Sequence, residues 1–159
     1  MFHADTYRGT KKENYQLVVK QLEALTDGEP NRIANLSNAS ALLNHSLDRI
    51  NWVGFYLADG KELVLGPFQG LPACVRIPYG KGVCGTAWKE NKILRVADVN
   101  QFPGHIACDA ASQSEIVVPL VKSGKVVGVL DIDSPEKNRF DEEDEAGLTA
   151  FAAALVKVL

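Results

Sequence analysis

The chain reads as an α+β domain, an antiparallel sheet with helices gathered on one face. Three observations predict this. Long helical periodicity is confined to the two ends of the chain. The strand-like segments between them come mainly as two pairs, each joined by a tight-turn signal, which implies antiparallel pairing. The terminal helices must bury their apolar stripes, and one face of the sheet offers the surface.

Each element follows in order. Thr10-Lys-Lys-Glu13 is a capping-box pattern. Tyr15, Val18, Val19, Leu22 and Leu25 recur behind it at helical spacing, and Gly28 stops the helix. Pro30 is suited to opening a second helix, with Ile33, Leu36, Ala39, Leu43 and Leu47 as its stripe. "NWVGFYLA" and "ELVLGPFQG" flank Asp59-Gly60, a hairpin signal. "CVRIP" and "ILRVAD" are short strands, and between them "YGKGVCGTAWKEN" is a glycine-rich turn running into a short helix. "EIVVPLVKSGKVVGVLDID" is the second hairpin. Asp141 caps a last helix with Leu148, Phe151, Leu155 and Leu159 on one side.

The 159 residues suit one domain over 1–159, with no repeat or linker. A net charge of −3 with no basic stripe argues against nucleic acid. No apolar run approaches the ~20 residues of a membrane span, and the polar N-terminus has no signal-peptide core. A cytoplasmic protein is expected. The cysteines are Cys74, Cys84 and Cys108. An odd number is no closed disulfide framework, and without CxxC there is neither a zinc ribbon nor a thioredoxin motif. In a reducing compartment they are buried small hydrophobes or working thiols.

Alternation along strands gathers the polar side chains. Trp52, Gly54 and Tyr56 share one face, while Val53, Phe55 and Leu57 face the core. In the second hairpin Val127, Val129, Asp131 and Asp133 share a face. The two aspartates lie roughly 6.6 Å apart by strand rise, where like charges repel by roughly 2–3 kcal/mol at an effective dielectric of 20. A three-residue Lys122-Ser123-Gly124 loop would pair Glu115 with Asp131 and Val117 with Val129. A two-residue Ser123-Gly124 loop would pair Glu115 with Ile132 and waste the alternation. The first register is expected, because Ile116, Val118 and Leu120 then join Leu130 and Ile132 on the core face. All three carboxylates cluster, with Cys108 in the loop leading into Glu115. A solvated acidic rim is the plain alternative. His105, three residues before Cys108, is placed to help activate it, whereas His45 on a helix is structural or exposed. "GKGVCGTA" lacks the order of a phosphate loop, so its glycines are expected to let a tight turn bring Cys84 near the site.

"GKGVCGTAWKENKILRVADV", "SEIVVPLV" and "GKVVGVLDIDSPEKNRFDEEDEAGL" resemble a GAF domain. With "NWVGFYL" and the cysteine spacing, the chain resembles in particular the free methionine-(R)-sulfoxide reductase family. The resemblance implies a six-stranded antiparallel sheet with helices on one face and a ligand pocket on the other. It implies Cys108 as catalytic cysteine, Cys74 as resolving cysteine and Cys84 as a further thiol, a relay or spare partner. Glu115, Asp131 and Asp133 match the family's carboxylates, and Trp52 and Tyr56 its aromatic pocket. It further implies free methionine sulfoxide as substrate, thioredoxin as reductant, a homodimer, and no metal or organic cofactor. A non-enzymatic GAF sensor of a small ligand or of redox state is the alternative. Two features weigh against it: the sequence ends at the last GAF-like helix without an output domain, and Cys108 is followed by Asp109 rather than by the histidine common at bilin-attaching cysteines.

Overall fold

The structure, a computed structural model, describes residues 2, 6–106 and 108–159. The polar start of the chain, read above as lacking a signal core, lies partly outside them. The strands are β1 Trp52–Asp59, β2 Glu62–Gln69, β3 Arg76–Pro78, β4 Leu94–Val96, β5 Ser114–Lys122 and β6 Lys125–Ser134. The helices are α1 Lys11–Thr26, α2 Arg32–Ser46, α3 Gly82–Glu90 and α4 Glu142–Val156, with a 3-10 turn at Val99–Gln101. The strands form one six-stranded sheet in the order β3-β2-β1-β6-β5-β4. Every pairing is antiparallel. No helix of the described residues is long and apolar enough to cross a membrane.

One face of the sheet carries α1, α2 and α4. Leu22, Leu36, Leu43, Leu148, Phe151 and Leu155 pack there against Val53, Phe55, Ile116, Val118, Leu130 and Ile132. Burying each such side chain contributes about 1.5–3 kcal/mol. The short helix α3 lies on the opposite face, where Val83, Cys84 and Ala87 join Trp52, Tyr56, Val117 and Val129. The terminal helices thus share one face, as expected. α3 walls the face that the terminal helices leave free.

Helix starts follow local chemistry. Thr10 and Glu13 form the capping box of α1. Asp141 and Asp144 form a second one at α4. The cap of α2 is Asn31, whose side chain accepts from the amide of Ala34, so Pro30 precedes the cap rather than opening the helix. Ile33 is 69% exposed. Its place on the buried side is taken by Asn35, which donates to the carbonyls of Glu29 and Val158 at 2.9 and 3.3 Å and so ties α2 to the C-terminus. Asp144, with 0% exposure, accepts from Tyr15 Oη at 2.6 Å, Lys11 Nζ at 2.8 Å and Arg139 Nη1 at 3.3 Å, locking α1 onto α4.

The β5–β6 hairpin corrects the expected register. Lys122 pairs with Lys125 across a two-residue turn, with Ser123 and Gly124 both left-handed at φ 53° and 77°. Left uninterrupted, that turn would set Glu115 against Ile132. One bulge intervenes: Val121 pairs with Val126, but Leu120 pairs with Gly128. The extra residue, Val127, restores the parity lost at the turn. Glu115 therefore faces Asp133, and Val117 faces Asp131. Val127 itself turns to the helix side, away from the face shared by Val129, Asp131 and Asp133.

Candidate active site

The free face of the sheet carries a recess bounded by α3, residues 71–73 and the loop before β5. The room inside it for the centre of a water-sized sphere is small, about 40 Å³. Trp52, Tyr56, Cys84, His105, Cys108, Glu115, Asp131 and Asp133 all line it. Cys74 is bonded to Cys108 at its edge, so the cysteines, carboxylates and aromatics singled out in the sequence converge here, whereas His45 stays on α2 beside Tyr7.

The aromatic wall starts at β1. Trp52 stacks on Tyr56 with ring centroids 5.9 Å apart and on Phe68 at 5.2 Å. Its indole N–H donates to the carbonyl of Leu71 at 3.1 Å. Gly54 lies between the two aromatics in the strand, and the space above it is not vacant. A Cβ there would sit 2.3 Å from that of Phe68, the residue paired with Gly54 across β1–β2. The Tyr56 hydroxyl donates to the carbonyl of Cys74 at 2.9 Å, tying the aromatic wall to the cysteine segment.

Cys74 and Cys108 form a disulfide, with Cα atoms 5.6 Å apart and 34 residues between them in sequence. Both are half-buried. The bond joins the segment after β2 to the loop before β5. Cys84 stays free and buried on α3, its Sγ 4.0 Å from Glu115 Oε2. The glycine-rich turn makes that approach possible, since a Cβ on Gly85 would stand 2.6 Å from the carbonyl oxygen of Pro78.

The carboxylates form the floor. Glu115 and Asp131 are each 6% exposed. Among the described residues none of the three makes an ion pair. Oδ1 of Asp131 and Oδ1 of Asp133 are buried without hydrogen-bond partners among the described residues. Burial, then the charge of neighbouring carboxylates, pushes Glu115 and Asp133 well above the usual carboxylate range. Burial also raises Asp131, against hydrogen bonding with Glu115 and Cys84 and the nearby His105. Burial and the same carboxylates raise the Cys84 thiol. Burial and crowding thus favour the protonated forms of these carboxyls. The solvated acidic rim is thereby overturned for Glu115 and Asp131. His105 lines the recess, and its backbone N–H donates to Phe102. No hydrogen bond of its ring to Cys108 is found among the described contacts.

A polar brace went unread in the sequence. Ser112 Oγ donates to Asp133 Oδ2 at 2.9 Å. Asn51 Nδ2 donates to Asp109 Oδ2 at 2.9 Å and to Ser112 Oγ at 3.1 Å. Asp109 Oδ1 accepts from the amide of Ala111 at 2.8 Å. The residue after Cys108 is thus pinned to the start of β1. The only local signal was Asp109 two residues before Ala111, an Asx-turn spacing. The contacts with Asn51 and Asp133 span 58 and 21 residues and have no local signature.

A model of the GAF domain family matches residues 16–159. Protein YtsP of Bacillus subtilis is 65% identical over 162 residues, covering 100% of this chain and 99% of the relative. The free methionine-R-sulfoxide reductase of Escherichia coli is 56% identical over 149 residues, covering 94% of this chain and 90% of the relative. Among solved structures, that of free methionine-R-sulfoxide reductase from Neisseria meningitidis, in complex with its substrate, superposes with a TM-score of 0.93. It is 45% identical and covers 99% of this chain and 95% of that one.

Proposed function

The chain belongs to the GAF-domain family and, within it, to the free methionine-R-sulfoxide reductases, and on that premise we propose that it reduces free L-methionine-(R)-S-oxide to methionine. One observation carries the mechanism: the Cys74–Cys108 disulfide adjoins a recess whose carboxylates include two buried oxygens with no hydrogen-bond partner among the described residues.

The chemistry runs in three balanced steps. The Cys108 thiolate attacks the sulfoxide sulfur, and the sulfoxide oxygen takes up a proton. Oxygen passes to Cys108, which becomes a sulfenic acid, and methionine leaves as the reduced product. The Cys74 thiol then attacks the sulfenic sulfur, releasing water and forming the disulfide. An external dithiol reduces that disulfide and is itself oxidised. We assign this last step to thioredoxin, with the enzyme a single-domain homodimer of the cytoplasm.

The carboxylates have two duties. Crowding keeps at least one of Glu115, Asp131 and Asp133 protonated near neutrality, which supplies an acid for the oxygen. The others hold the substrate ammonium. Trp52 and Tyr56 offer an apolar wall to the methyl and methylene groups. The brace from Asn51 through Asp109 and Ser112 supports this reading, because it aligns the Cys108 loop with Asp133.

The test is incubation of the protein with the separate R and S sulfoxides of free methionine and either thioredoxin or dithiothreitol, with methionine quantified. The R form should be consumed catalytically and the S form left. Absence of methionine from both would return the chain to a sensor role.

A further inference from the structure

Cys84 is the thiol the reaction leaves unused. Its Sγ, one oxygen of Glu115 and one oxygen of Asp131 all lie within 4.8 Å of one another, and all three residues are buried. Two carboxylates alone would satisfy an ammonium ion, so the substrate gives no reason for a thiol beside them. Asp131 is 6% exposed, and its Oδ1 is buried with no hydrogen-bond partner among the described residues, aimed at the same cluster as an acceptor that a metal ion would fill as well as an ammonium.

We propose that Cys84, Glu115 and Asp131 bind a thiophilic divalent cation, zinc foremost, and that the bound ion blocks the substrate site. The blocking clause rests on the reductase reading; the binding clause does not.

The donor set selects the ion. Magnesium and calcium seek six or more oxygens. A thiolate with two carboxylates is a softer, smaller set that suits zinc, with three protein ligands and an open fourth position. Tetrahedral zinc has bonds of about 2.3 Å to sulfur and about 2.0–2.2 Å to oxygen, so its ligand atoms stand roughly 3.3–3.8 Å apart. The Sγ to Oε2 distance of 4.0 Å needs to close by a few tenths of an ångström, and the set as a whole, which spans up to 4.8 Å, by roughly 1 Å through side-chain rotation. On binding, the thiol and any protonated carboxyl release their protons to solvent, and nothing is oxidised or reduced. The ion then sits on the carboxylates proposed for the ammonium, so ion and substrate exclude each other.

The disulfide form of the protein makes the test clean, because Cys84 is then the free thiol. Cobalt(II) titrated into it should produce a thiolate-to-cobalt charge-transfer band in the near ultraviolet, saturating at one ion per chain. Zinc should displace the band. Cys84→Ser should abolish it, and Asp131→Asn should weaken zinc binding by at least about tenfold, both with unchanged far-ultraviolet circular dichroism. If Cys84→Ser fails to fold, alkylation of Cys84 in the parent decides: zinc should slow it at least tenfold. No band in the parent, a band surviving in Cys84→Ser, or alkylation unaffected by zinc overturns the site. In the reduced enzyme zinc should raise the apparent KM for the sulfoxide without changing kcat, and a fall in kcat alone overturns the blocking clause. The cobalt band is read without turnover, so the failure of the metal site and the failure of the reductase reading are distinguishable.

Discussion

Glu115→Gln should stabilise the protein at neutral and alkaline pH and do nothing in acid. Glu115 lies directly across the β5–β6 ladder from Asp133, and such partners have Cβ atoms about 4.5–5.5 Å apart. Two unit charges 5 Å apart at an effective dielectric of 20 repel by about 3 kcal/mol. Burial and this neighbourhood raise the Glu115 pKa well above the usual range. A carboxyl raised in the folded state contributes its stability fully below the unfolded pKa, near 4. It loses that contribution as pH rises through the folded value. Glutamine keeps the shape and carries no charge at any pH, and its amide donors meet the oxygens of Asp131 and Asp133. The gain over the parent should be near zero at pH 4 and reach about 1–3 kcal/mol by pH 8, given the discount for retained protons. For a chain of this size that is roughly 3–10 °C in Tm. Calorimetry from pH 4 to 8.5 with the disulfide intact reads it directly. A Tm lowered at pH 8, or a difference independent of pH, refutes the proton-holding floor.

Three further outcomes are expected. N-acetylated methionine sulfoxide, with an amide where the ammonium should sit, should lose at least about a hundredfold in kcat/KM because desolvated carboxylates are left without a cation; equal turnover of both forms would contradict the assignment. Gly54→Ala places a Cβ 2.3 Å from the Phe68 Cβ and 2.8 Å from its Cα, so it should destabilise by about 1–3 kcal/mol and disturb the stacked Trp52, read as a change in tryptophan fluorescence; an unaltered Tm would refute the packing. Asp144→Ala strips the acceptor shared by Tyr15, Lys11 and Arg139 and should lose about 3–5 kcal/mol in urea unfolding, whereas a loss under 1 kcal/mol would mean the network is not structural.

The carboxylate face was legible because side chains alternate along a strand whatever their partner. Parity alone put Asp131 and Asp133 together, and Glu115 joined them under either register that kept the apolar set inward. The pairing itself was not legible. Lys-Ser-Gly fits a two- or three-residue turn, and serine at φ 53° is an uncommon choice. The compensating bulge at Val127 follows from packing of the whole sheet. Phe68 over Gly54 and Ser112 on Asp133 depend on contacts across strands and loops, so no local pattern marks them. Ile33 shows the converse limit: helical spacing admitted it to the stripe, but Asn35 had two backbone carbonyls to satisfy and took the buried side. The pairing of Cys74 with Cys108 came from family likeness, since three cysteines without CxxC name no partner by spacing.

The central claim is that Cys108 attacks and Cys74 resolves, and a single turnover tests it most directly. Fully reduced protein is mixed with excess free methionine-(R)-sulfoxide and no reductant, then methionine is counted and the disulfide mapped by mass spectrometry. The account predicts about one methionine per chain, a Cys74–Cys108 bond, and Cys84 still free. Cys74→Ser should give the same methionine yield and stall with a sulfenic acid on Cys108, and Cys108→Ser should give none. Methionine from Cys108→Ser, or a mapped disulfide that includes Cys84 in the parent, would contradict it.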